Sequence, residues 1–261
     1  MNGVEPQRAW WANNLAALRL DSSTLIRLAR VGARLVPDSA GASALGGVPQ
    51  MPSGWQWPVW ECSLQYIARI SLSALATVLD EDARRGLAAS GTLHLFADAL
   101  GNGWGTDEEH AGSFAAFIAD GDTTFATPHA TDWQGNVIPL EHPEQPMALV
   151  PELVLPSPLA FTGTVLSLDD ASYDAYSDLH DAFNEEHFAG AAKHRICGLP
   201  DILNPSEEGL PEGTDWRLLA QMDTDAPWFF HPTPGVFHWW LDEPHFRTGH
   251  VEQCWGTVQN L

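Results

Sequence analysis

His94 and Asp98 stand four residues apart in the segment Gly91-Thr92-Leu93-His94-Leu95-Phe96-Ala97-Asp98, and His238 and Asp242 repeat that spacing 144 positions later. An imidazole next to a carboxylate is the simplest unit of general acid–base chemistry, because histidine titrates near neutral pH and the carboxylate can fix its tautomer. Strand alternation places each histidine and its aspartate on one face. With Trp57 and Trp240, the two pairs could line a cleft between the two halves of the chain, suited to a small molecule. Two half-buried strand histidines in corresponding places would give the same pattern without any chemistry.

Other constellations carry less. His180 and His187 are seven apart on one helical face, so a metal site would need a third ligand from another segment. Asp120-Gly121-Asp122 and Asp223-Thr224-Asp225 lack the twelve-residue loop and closing Glu of a calcium hand and read as turns. There is no Gly-x-Ser-x-Gly elbow, His-Glu-x-x-His helix or Walker loop. Cys62, Cys197 and Cys254 form no Cys-x-x-Cys and read as buried thiols. No metal and no cofactor are expected, and an enzyme is the weaker expectation.

Charge is a stronger signal. Asp+Glu number 34 against 12 Lys+Arg, a formal net charge of −22. Affinity for nucleic acid rests on basic side chains that displace counterions, so nucleic-acid and anionic-membrane partners are excluded. Two readings of such a field remain, a hydrated surface that serves solubility alone and one that attracts a basic protein as partner. The acid is clustered, above all from Asp169 to Glu186. There Tyr173, Tyr176, Leu179 and Phe183 fall on one side of a helix, with Asp174, Asp178, Asp181 and Glu185 on the other. These four acids are the candidate interaction surface.

The elements that must position these residues follow from periodicity. Residues 5–36 read as helical, with Trp10, Trp11, Leu15 and Leu18 on one face. Residues 37–63 are rich in proline and glycine and carry Trp55, Trp57 and Trp60. Leu64–Ile70 reads as a strand, Leu72–Arg85 as a helix opened by Ser71 or Ser73, and Leu93–Ala97 and Phe114–Ile118 as strands. A short strand is expected near Leu149–Leu155. Gly47-x-Pro49, Ala68 and His94 correspond to Gly198-x-Pro200, Ala220 and His238 at separations of 151, 152 and 144 residues. Such steady offsets point to a duplicated unit.

The motif Gly46-Gly47-x-Pro49-x-x-Pro52-x-Gly54-x-x-Trp57-Pro58, the strand carrying Gln65 and Ser90–Phe96 resemble the YwqG-like proteins, a bacterial family of unknown function. In the second half His194–Pro200 resembles the family's His-x-x-Gly-Gly-x-Pro, with Cys197 in place of the first glycine, and Leu218–Gln221 and Gly235–Leu241 resemble its later strands. Residues 228–234 depart from its Trp-Gly-Asp. The resemblance implies an α+β protein of two similar halves with mainly antiparallel sheets and flanking helices. It also implies an immunity-type role, proposed for relatives, of neutralising a toxin.

The resulting expectation is a helical segment over 1–36 and a domain over 37–261. Two repeats, about 37–125 and 190–261, would be joined by a connection bearing the acidic helix. A cytoplasmic protein is expected, because no apolar leader or membrane-length run is seen, and a monomer, because two similar halves can mimic a dimer within one chain. Its expected function is an acidic interaction module. The alternative is a small-molecule binder or enzyme working in the cleft.

Overall fold

In the computed structural model of the protein, which describes residues 3–17, 22–98, 103–121, 123–125, 130–131, 137–138, 142–161, 169–188, 193–204, 210, 215–223 and 235–260, the helical reading of the N-terminus holds for α1 (Glu5–Ala17) and α2 (Ser22–Leu28). It fails after them: Arg30–Pro37 is strand β1, in the middle of the sheet. The cause is burial on both faces, since Gly32, Ala33, Arg34 and Leu35 are all buried in succession. Such a strand loses the two-residue alternation that would distinguish it from a helix.

The chain continues through β2 (Ser43–Leu45), β3 (Gln50–Pro52), β4 (Gln65–Ser71), α3 (Leu72–Val78), α4 (Glu81–Arg84), β5 (Thr92–Ala97), β6 (Phe114–Ala119), β7 (Thr123–Phe125), β8 (Ala130–Thr131), β9 (Val137–Ile138) and β10 (Gln145–Val154). It ends with α5 (Asp170–Phe188), β11 (Arg195–Cys197), β12 (Trp216–Asp223), β13 (Gly235–Asp242), α6 (Glu243–Thr248) and β14 (Trp255–Asn260). The single helix expected over Leu72–Arg85 is two. Ser71 caps α3, whereas Asp80 interrupts the run and accepts the Ala83 N–H at 2.8 Å as the cap of α4.

Ten strands form one sheet in the order β14-β13-β12-β11-β1-β10-β2-β4-β5-β6, and every pairing in it is antiparallel. The protein is therefore broadly α+β. The pairing of β4 with β5 shifts between Tyr66 and Ala68, and that of β12 with β13 between Leu218 and Ala220. The inserted residues, Ile67 and Leu219, are both fully packed into the main core. Each bulge adds local twist, and the sheet curls until its two edge strands meet. Phe114 of β6 stacks edge-on against Trp239 of β13 at 5.1 Å. It also lies where a side chain on Gly256 of β14 would have to go.

Alternation sorts the side chains of this near-barrel. Leu93, Leu95 and Ala97 of β5 and Phe237, Trp239 and Leu241 of β13 fill the main core. Their neighbours His94, Phe96, His238 and Trp240 consequently point to the outer face, where smaller clusters cover them. A further cluster, with Trp11 and Leu15 of α1 against Tyr176 and Phe183 of α5, fixes the acidic helix beside the sheet.

Candidate functional site

On the outer face of β4 and β5, His94 lies directly across from Arg69. The His94 ring is 1% exposed, and its Nδ1 lies 2.9 Å from the Tyr66 hydroxyl on the neighbouring strand. Burial, aided by the Arg69 charge, pushes its pKa down to about 4, against a smaller pull from a backbone hydrogen bond at Gln50. The imidazole is therefore neutral at ordinary pH. Arg69 donates two hydrogen bonds to Glu144, at 2.6 and 3.0 Å, and this bidentate pair neutralises its charge. Beside these groups is a cavity of about 450 Å³ whose wall includes Gln50, Arg69, Ser71, Ser73, Thr92 and His94. It offers hydroxyls, a neutral ring, a charge-compensated guanidinium and, at its rim, the exposed Asp120 carboxylate, the equipment for hydrogen bonding to a polar molecule rich in donors.

His238 occupies a different environment. It is fully buried, lies across from Gln221, and its Nε2 is 3.2 Å from the Gln221 Oε1. Burial again pushes the ring down to about 4. Gln221 extends the contact to Asp201, accepting the Asp201 N–H at 2.8 Å and donating to its carboxylate at 2.9 Å. Arg195 joins Asp201 to Glu152, and Arg34 stands 3.8 Å from Glu152 and over the Phe188 ring. Although burial raises the cost of its charge, Asp201 is held well below the ordinary carboxylate range by Arg195 and Lys193. Burial works against the charge of Arg195, yet Glu152 and Asp201 hold it above its usual value.

The expected pairings are not made. Neither histidine hydrogen-bonds its aspartate. Asp98 accepts the Gly103 N–H at 2.8 Å, and Asp242 accepts the His245 N–H at 2.8 Å as the cap of α6. Asp98 is engaged by a backbone N–H beyond β5, whereas Asp242, besides capping α6, stands 2.6 Å from the Nδ1 of His245, an imidazole of that helix and not of its own strand. Nor do the candidate cleft residues surround one opening. Trp57 packs with Trp55, Trp60, Tyr66 and Phe96, whereas Trp240 packs with Ile202, Leu218 and Trp255. Trp57 lies in the segment between β3 and β4, packed on β4 and β5, whereas Trp240 is on β13, far from those strands in the sheet order.

A family described as a domain of unknown function, DUF1963, matches residues 43–259. The chain belongs to the DUF1963 family. No curated protein matches it significantly. The DUF1963 match opens at the first residue of β2 and closes within β14, so it contains the His94 cavity, the acidic helix and the His238 network except Arg34. Strand β1 precedes the match yet is hydrogen-bonded between β10 and β11.

Within the DUF1963 region, Asp174, Asp178, Asp181 and Glu185 are all exposed along α5, in the stripe their spacing predicts. Among the described ion pairs none involves these four. His180 and His187 pack against Trp11 and Trp10 respectively, and no metal-binding group of three side chains occurs among the described residues. Sequence reasoning missed Arg34, Glu152 and Arg195. Their one available signal was charge inside otherwise apolar strands, which in a buried position demands a partner.

Proposed function

We propose that this DUF1963 protein binds a small, uncharged, polyhydroxylated molecule in the cavity beside His94. One observation carries the reading: a buried, neutral histidine held by Tyr66 opens onto a cavity of about 450 Å³ walled by hydroxyls. The pairing of Arg69 with Glu144 favours a neutral ligand over an anion. The low pKa of His94 suits hydrogen bonding and not the donation of a proton at pH 7, so binding is favoured over acid catalysis. Glucose, inositol and glycerol are direct probes. A saturable shift of the His94 ring resonances with any of them, abolished by Ser73→Trp in the cavity wall, is the expected outcome. Silence of those resonances towards all three would sink the reading.

The acidic face of α5 supports a second reading, capture of a basic protein, with an immunity-type role among the possibilities. Its motivation is an exposed stripe of four acids in a chain whose arginines largely pair internally. Neutralising all four should weaken binding to a basic probe such as cytochrome c or a polylysine peptide, and salt should weaken it for the native protein. Equal binding by the neutralised variant would dismiss it.

Two finer points of ancestry belong to the same proposal. The chain is a YwqG-like member of its family, and it arose by duplication of a half-sheet. Supporting the duplication, the strand order reads the same from both edges about the β1–β10 pair. Both bulges fall at corresponding places, and Gly46-Gly47 and Cys197-Gly198 share left-handed backbone. The cytoplasm, as a monomer, is the setting this reading assigns.

A further inference from the structure

Away from the His94 cavity, a second cavity of about 380 Å³ opens where α1, the start of β1, α4 and the turn after β11 meet, and Arg8, Arg30 and Arg85 line it. In a chain with 12 basic residues against 34 acidic ones, three arginines around one opening are a marked concentration. Arg30 is the centre of it. A single terminal nitrogen, Nη1, donates to the carbonyls of Arg27, Leu28 and Ala29 at 3.0, 3.2 and 3.0 Å, which fixes the guanidinium at the end of α2. No carboxylate stands within ion-pair distance of Arg30 among the described residues. Its Nε and Nη2 donors are therefore left for another acceptor.

The neighbouring charges reinforce this. Arg85 pairs with Glu243 at 2.9 Å, but Arg217 at 3.4 Å and Arg247 at 2.9 Å share the same carboxylate, and Arg217 also pairs with Asp215. Glu243 is shared among three guanidiniums, of which Arg217 also has Asp215, so Arg85 has no carboxylate of its own among the described ion pairs. Burial lowers the pKa of Arg30, and the charges of Arg85 and Arg217 lower it further. Arg8 adds a third guanidinium whose nearest carboxylate, Glu5, is 3.8 Å away. Two acids, Asp80 and Asp82, also stand on the cavity wall, so a bound anion must be held by paired guanidinium N–H donors against these two charges. Asp80 is engaged in capping α4 through its Oδ1, and Asp82 is exposed.

We propose that the cavity lined by Arg8, Arg30 and Arg85 is a binding site for a small oxyanion, of the phosphate or phosphomonoester class. Planar guanidiniums match the tetrahedral oxygens of phosphate with paired N–H donors, and a dianion offsets the repulsion among the arginines that the protein itself leaves standing. This site is independent of the His94 cavity, and either can fail without the other.

Inorganic phosphate is the probe, titrated by calorimetry and by thermal shift against sodium chloride at matched ionic strength. The matching matters because any salt screens a charge of −22. Phosphate should bind saturably and raise the melting temperature beyond the chloride control. Arg30→Met should weaken binding at least tenfold, and Arg8→Gln, on a half-buried position of α1, severalfold. Arg27→Gln removes an equal charge outside the cavity wall and should leave the affinity unchanged. The proposal is overturned by a phosphate response no larger than that of chloride, by full binding in both Arg30→Met and Arg8→Gln, or by an Arg27→Gln loss as large as that of Arg30→Met.

Discussion

His94 and His238 are alike in chemistry and different in use. Both are kept neutral by burial, with pKa values pushed down to about 4. In the unfolded chain each would titrate at about 6.5. A base whose folded pKa is depressed gives its full stabilisation above the unfolded value and loses it as pH falls towards the folded value. By pH 5 each ring should cost about 2 kcal/mol of stability relative to pH 7.5, at a pH where ordinary carboxylates remain ionised. Urea denaturation at pH 7.5 and 5 should register the loss, and the double variant His94→Gln, His238→Gln should flatten most of it. An unchanged pH slope in that variant would contradict the assignment. Cys197 gives a second test. Its φ of 59° lies in the left-handed region, as does the φ of 61° of Gly46, which likewise precedes a Gly-x-Pro. Strain there is about 1–2 kcal/mol for a residue with a Cβ, comparable to what the buried thiol contributes by packing. Cys197→Gly should therefore change unfolding free energy by less than about 1 kcal/mol, whereas Cys197→Val, β-branched at positive φ, should cost about 2 kcal/mol or more.

Helix α5 was legible in the sequence because it is amphipathic: one side meets Trp10 and Trp11 and the other meets solvent. Strands β4 and β5 were legible although both their faces are covered, because caps and glycines bound these short apolar runs. Strand β1 was hidden because both its faces are covered, and β11, only three residues long, offers too short a run to display any period. The His94 site was half legible. The histidine could be singled out, but its partner is Tyr66 on a bulged strand, and the bulge sets which residue meets which in a way that spacing along one segment does not reveal. At this scale the acid stripe makes a prediction that separates function from stability. Asp174–Asp178, Asp178–Asp181 and Asp181–Glu185 are like-charge pairs at helical spacings, each unfavourable by about 0.2–0.5 kcal/mol. Neutralising the four with Asn and Gln should raise stability by about 1 kcal/mol in thermal or urea unfolding. If the same variant loses a basic partner, the acids are retained for binding at the expense of stability, as functional surfaces often are.

Across the whole molecule, ten antiparallel strands remain one sheet only because its ends are dealt with. An open edge exposes unpaired N–H and C=O groups. Here the chain brings β6 and β14 together through side chains instead: Phe114 reaches across to Phe237 and Trp239 at 5.9 and 5.1 Å, and Gly256 supplies the space it needs. A Cβ at Gly256 would fall 1.8 Å from the Phe114 Cγ, so the ring would have to leave its place. Gly256→Ala adds a single methyl group yet should destabilise by about 3 kcal/mol or more, towards the upper end for overpacking. Phe114→Ala removes the bridging ring and should cost a similar ~3–5 kcal/mol by leaving a cavity. Because both act on one contact, the double variant Phe114→Ala, Gly256→Ala should lose much less than the sum of the two. Urea unfolding of the three variants measures this directly. Strict additivity would mean that the edges do not depend on each other. A strong coupling would identify the Phe114–Gly256 contact as what joins the first edge of the sheet to the last, and hydrogen exchange should then quicken in β6 and β14 together when either residue is changed.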